Sequence, residues 1–217
     1  MFSELNAGNY NYSTLYYYSE FEDILSKMIA CYRLMIDERQ TVVSNENKIR
    51  DKILYNYLKK DKYKKQLGLT NYLFDPELPE NNGRIDIRIM PVNPFISDEA
   101  YYIIECKRLN AQNQQGKTGL NAEYVYEGIN RFTSSKYSSY YKTNGMLGFV
   151  VEPLDIHANI KLIEAFLKTP DSKAFPPIKQ RKIIDDFEYT YCSLHVVNSK
   201  DVIIYHVMMD FSKMISN

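Results

Sequence analysis

The chain has 217 residues with 45% hydrophobic and 25% charged side chains, ordinary values for a folded domain and too apolar for a disordered one. Lys+Arg and Asp+Glu both total 27, so the formal net charge is zero, whereas a packaging protein is usually strongly basic and an enzyme on nucleic acid needs only a local basic surface. Three cysteines without a CxxC spacing give neither a disulfide framework nor a zinc site. They read as reduced thiols of a cytoplasmic protein, and no apolar run approaches a membrane span.

Residues 1–18 are rich in Asn, Ser and Tyr and lack a period, so they read as an irregular N-terminal arm. From Ser19 to about Arg39 the apolar residues Phe21, Ile24, Leu25, Met28, Ile29 and Tyr32 recur at helical spacing, with Ser19 as the N-cap. A second helix is predicted from Asn45 to about Lys60, capped by Ser44 or Asn45. The densest basic run follows, Lys59–Lys65, in which Lys62 and Lys64 are candidates for a nucleic-acid backbone and Tyr63 for base stacking. The plainer account, a solvated helix end, is slightly preferred. Asp75 to Gly83 holds two prolines and a glycine and reads as a loop.

Strand patterns come next. Arg84 to Met90 alternates, with Ile85, Ile87 and Ile89 on one face and Arg84, Asp86 and Arg88 on the other. Tyr101 to Lys107 is an apolar strand that turns polar at its C-terminal end. A Gln/Asn/Gly-rich loop, Asn110–Gly119, precedes a helix over about 121–132. Met146–Val151 is a strand and Ile156–Leu167 a helix. Phe187–Val197 and Val202–Phe211 form a hairpin around Asn198-Ser199-Lys200-Asp201. With no repeat or linker, residues 1–217 read as one mixed α/β domain.

The chemistry is carried by Asp86 and Glu105-Cys106-Lys107. Side chains alternate along a strand, so Glu105 and Lys107 share a face, and an adjacent strand can bring Asp86 beside them. Two carboxylates suit Mg²⁺, which keeps its remaining positions for water and phosphate. An ammonium alongside can orient or deprotonate a water or contact the phosphate. Burial would lower the Lys107 pKa and the carboxylates would raise it. The plain alternative is a solvated strand face of alternating charge. Against it, Glu105 ends the large-residue run Tyr101–Ile104. Arg131 and Lys136 are further candidates for phosphate contacts, with an Arg131–Glu127 pair one helical turn apart as the structural alternative for Arg131.

This arrangement resembles the PD-(D/E)XK nuclease superfamily over residues 44–152, with the arm and the 187–211 hairpin outside the resemblance. The family implies a restriction endonuclease-like mixed central sheet flanked by helices. It also implies Mg²⁺ or Mn²⁺ held by Asp86 and Glu105, with the Cys106 backbone carbonyl often adding a ligand. Glu46 looks like the extra acid that many members add, although the helix dipole alone favours an acid in a first turn. Ile85 stands where the family has proline. The expected activity is metal-dependent hydrolysis of nucleic acid, DNA above all, in restriction, phage defence or repair. Enzymes of the class commonly dimerise, a homodimer that the arm or hairpin could serve.

Two other functions are weighed beside it. One is a non-catalytic nucleic-acid- or protein-binding module on the same fold. The other is an NTP-binding protein using Ala111–Thr118, a relaxed phosphate-loop match with Ala in place of the first glycine. The three histidines form no HExxH or HNH-like cluster, and no GxSxG elbow is present.

Overall fold

A computed structural model of the chain describes residues 12–80, 83–92, 100–134, 136–137, 140–168 and 177–216. Its fold is mixed α/β: a seven-stranded mixed sheet, flanked by helices, in the order β1-β2-β3-β4-β7-β6-β5. The strands are β1 (Tyr72–Glu80), β2 (Gly83–Pro91), β3 (Tyr102–Leu109), β4 (Thr143–Val150), β5 (Lys179–Gln180), β6 (Thr190–Val197) and β7 (Lys200–Asp210). β3, β4 and β7 run parallel and the remaining neighbours antiparallel.

The parallel centre explains the apolar run before Glu105. A strand covered on both faces reads as continuous hydrophobic sequence rather than as alternation. Tyr102, Ile104 and Cys106 face one core together with Leu147, Phe149, Tyr205 and Val207. Ile103 and Leu109 face the other with Met146, Ile204 and Met208.

Helix α1 (Tyr12–Asp37) and helix α2 (Glu46–Ile53), which continues as a π-helical turn Leu54–Leu58, pack on the first face. Helix α3 (Asp61–Leu67) borders them. The second face carries α4 (Leu120–Glu123), its π-helical continuation Tyr124–Ile129, α5 (Asn130–Thr133) and α6 (Ile156–Leu167). Asn45 caps α2 by accepting the Lys48 N–H.

Four expectations are corrected. The arm is not irregular throughout: from Tyr12 it is already α1, because Tyr17, four residues before Phe21, extends the apolar face and packs on Tyr141 with ring centroids 4.3 Å apart. Residues 1–11 lie outside the described part. The Asp75–Gly83 segment is not a loop up to Glu80 but strand β1, the outermost strand of the sheet, which is where prolines such as Pro76 and Pro79 are tolerated. Lys64 and Lys59 Nζ donate to the Tyr72 and Phe74 carbonyls, each at 2.8 Å, and blunt that same edge.

The alternation of the isoleucines also breaks. Ile87 and Ile89 enter the first core while Ile85 enters the second, so the strand changes face at Asp86. Finally, the C-terminal hairpin turns more tightly than over residues 198–201. Its turn is only Asn198-Ser199, both in the left-handed region (φ 50° and 61°), and β7 lies against β4 in the middle of the sheet.

Candidate active site

The β2–β3 ladder ends at the pair Ile87–Ile104. Beyond it the Asp86 carboxylate enters the gap, and Oδ2 accepts the Cys106 N–H at 2.8 Å. Glu105 and Lys107 follow on the second face of β3. Their stretch is roofed by the π-helical segment at Gly128, where an added Cβ would meet Met146 Cε at 2.5 Å and Lys107 Cγ at 3.5 Å. π-Helical turns recur at functional sites.

Glu105 is wholly buried and Asp86 is 5% exposed. Lys107 Nζ lies 2.9 Å from Glu105 Oε1, 3.3 Å from Glu46 Oε1 and 3.1 Å from the Cys106 carbonyl. On the other side Arg131 Nη1 approaches Glu105 Oε1 at 3.2 Å, and the Tyr137 hydroxyl lies 2.8 Å from Oε2. Burial and then the neighbouring Asp86 charge push the Glu105 carboxyl up to about 7, against the opposing pull of Lys107 and Arg131. Burial works against the Lys107 ammonium, but the charges of Glu105, Glu46 and Asp86 outweigh it and hold its pKa above the ordinary lysine value.

Of the residues expected at the site, Glu105, Glu46 and the Cys106 carbonyl meet at the Lys107 ammonium, and Asp86 lies against the Cys106 N–H. Glu46 sits in the first turn of α2, as the dipole favours, and its Oε2 also accepts the Arg108 N–H at 3.1 Å. Arg131 joins them, but as a partner of Glu105. The π turn moves it out of simple four-residue register with Glu127. Lys136 is exposed in the turn after α5. Lys62 and Lys64 lie elsewhere, at α3. There Lys62 sits over the Tyr63 ring at 4.9 Å, and Tyr63 packs at a tilt on Tyr57 and donates to Glu38 rather than offering a free ring. In the Ala111–Thr118 loop the Asn113 carboxamide fills the inside of the turn against Gly116, where a phosphate cradle would need space.

Two residues escaped sequence reasoning. Arg50, 1% exposed, bonds Asp86 Oδ1 at 3.3 Å and Glu77 Oε1 at 2.8 Å, partners distant in sequence. Tyr137 lies in a Ser/Tyr/Lys-rich stretch with no period to mark it.

The donor chemistry fits a hard divalent cation. Asp86, Glu105 and the Cys106 carbonyl offer oxygen alone, and the Lys107 ammonium already finds three oxygens around it. Among the described residues no three His, Cys, Asp or Glu side chains form a metal-holding group. Also among the described residues, no helix is long and apolar enough to cross a membrane. Comparison with protein-family models, with curated proteins and with solved structures finds no match in any of the three.

Proposed function

We propose that the chain is a Mg²⁺- or Mn²⁺-dependent nuclease of restriction endonuclease-like fold, hydrolysing phosphodiester bonds of nucleic acid, DNA first among them. The observation that carries the reading is the buried Asp86/Glu105 pair with the Lys107 ammonium between Glu105 and Glu46. A structural strand face would have no cause to bury two carboxylates beside each other, because desolvation and repulsion both oppose it. The antiparallel β1-β2-β3 unit followed by parallel β4 also supports the fold reading.

Asp86, Glu105 and the Cys106 carbonyl would hold the ion, with Glu46 at its margin. The chemistry such an ion supplies when bound is acidification of a water and neutralisation of charge on the phosphate. Lys107, kept protonated by three carboxylates, acts as a hydrogen-bond donor and point charge toward a phosphate oxygen or the attacking water, not as a base. Arg131 and Tyr137 hold the Glu105 carboxylate in place.

The non-catalytic alternative has one observation in its favour: Lys107, Arg131 and Arg50 already neutralise the acidic groups without a metal. Incubating plasmid DNA, single-stranded DNA and RNA with the protein in Mg²⁺, Mn²⁺ or EDTA separates the two. Metal-dependent cleavage that Glu105→Gln and Asp86→Asn both abolish supports the nuclease. Salt-dependent binding with no cleavage of any substrate supports the binding module.

A further inference from the structure

Arg50 carries a cost that helix α2 alone does not require. It is one of the largest fully buried side chains, on an eight-residue helix with a lysine at each of positions 48 and 52. Three carboxylates meet its guanidinium: Asp51 Oδ1 at 2.7 Å, Glu77 Oε1 at 2.8 Å and Asp86 Oδ1 at 3.3 Å. The Asp51 and Glu77 side chains are 38% and 40% exposed, whereas that of Asp86 is 7% exposed. The two shorter contacts go to these half-exposed carboxylates, and the third reaches across to the buried Asp86.

We infer that Arg50 is a positioning residue for Asp86. Its Nη1 holds Oδ1 while the Cys106 N–H holds Oδ2, so the carboxylate is fixed at both oxygens. A carboxylate accepts about four hydrogen bonds or ligands, and this arrangement leaves lone pairs on each oxygen for a cation. The same guanidinium ties α2 to β1 and β2, and Glu46 lies one helical turn before it. Arg50 therefore fixes α2, which carries Glu46, relative to β2, which carries Asp86, two of the acids that would hold an ion. The inference rests on the nuclease reading and adds to it a residue that touches neither metal nor substrate.

Mn²⁺ binding to the full chain, followed by electron paramagnetic resonance with the melting temperature recorded alongside, tests it. Arg50→Met weakens Mn²⁺ binding by about 10- to 100-fold, the usual effect of removing the partner that orients a metal ligand. Arg50→Lys keeps the charge but cannot fork to Glu77 and Asp86 together, and recovers only part of the loss. A purely structural staple predicts something else: a lower melting temperature with wild-type Mn²⁺ affinity in the folded variant. That result overturns the inference. If Arg50→Met does not fold, the comparison passes to Arg50→Lys, whose unchanged affinity is equally fatal. A wild-type protein that binds no Mn²⁺ sinks the nuclease reading and this inference with it. Wild-type binding with unaltered variants sinks the inference alone.

Discussion

The Asp86 carboxylate receives the Cys106 N–H at 2.8 Å just past the last β2–β3 ladder pair, standing in for the backbone acceptor that a continuing ladder would supply. One side chain thus ends the pairing of two strands and occupies the gap that this creates. A buried N–H without an acceptor costs about 1–3 kcal/mol, so the splayed strands depend on Asp86.

Replacing that acid has graded effects. Asp86→Ala leaves the Cys106 N–H without an acceptor and takes one of three carboxylates from Arg50, and a loss of about 1–3 kcal/mol is expected. Asp86→Asn keeps an acceptor for the N–H and loses less. Urea unfolding in EDTA measures both, and equal stability of the two variants contradicts the assigned contacts.

Glu105 makes the metal-free protein less stable as pH rises. Its carboxyl, ordinarily near 4.5, is raised to about 7, so between those values the folded state holds a proton that the unfolded chain has released. The stability belonging to the protonated form is complete below 4.5 and lost as pH rises through 7. Glu105→Gln, which is neutral throughout, should therefore gain several °C over wild type at pH 8 in EDTA, since each kcal/mol moves a protein of this size by about 2–4 °C. The gap should close at pH 4.5. Added Mg²⁺ should raise the wild-type melting temperature at pH 8 and leave the variant unmoved, as calorimetry in the two buffers would record.

An opposite slope comes from the histidines. Tyr124, His206, Ser193 and His195 form a buried chain with contacts of 2.9, 2.9 and 2.8 Å. Burial lowers His206 to about 3, helped by the His195 charge, and lowers His195 to about 4. Both are neutral in the fold and charged in the unfolded chain below 6.5, so their stability is present above 6.5 and lost as pH falls toward 4 and 3. Each histidine contributes up to about 1.4 kcal/mol per pH unit. His195→Asn/His206→Asn should flatten the acid limb of a circular-dichroism titration. Between 4.5 and 6.5 the Glu105 effect opposes it, so the limb is read most cleanly in the Glu105→Gln background.

Tyr102 and Tyr72 both donate to Glu20, at 2.5 and 3.2 Å, joining α1 to β3 and β1. Hydrogen bonds to a charged acceptor are worth about 1.5–3 kcal/mol, and the shorter should fall nearer the top. Tyr102→Phe is expected to cost more than Tyr72→Phe in denaturant unfolding, and the reverse order would contradict the geometry.

What could be read beforehand was mainly local. The alternation around Ile87, the Glu105-x-Lys107 spacing, the Asn45 cap and the 156–167 helix all express periods or caps confined to a few neighbouring residues. What could not be read depends on neighbours distant in the chain. Pro76 and Pro79 look like turn residues until β1 is known to be an outer strand. Arg50, four residues after Glu46, looks like half of an exposed helical pair. Two of its partners, Glu77 and Asp86, are 27 and 36 positions away, and no spacing rule reports that. The change of face at Ile85 follows from Asp86 ending the ladder, which is a tertiary event.

The parallel placement of β7 against β4 orders events during synthesis. Residues 151–199 must all be made before β4 acquires its second neighbour, so its open edge is held without a partner through that interval. Closing so long a connection is slow, since chain entropy is lost before the pairing returns anything. The nascent chain is then most exposed to aggregation between the emergence of Val150 and that of Asp210, and a chaperone trap or an arrested-translation series would find its peak there.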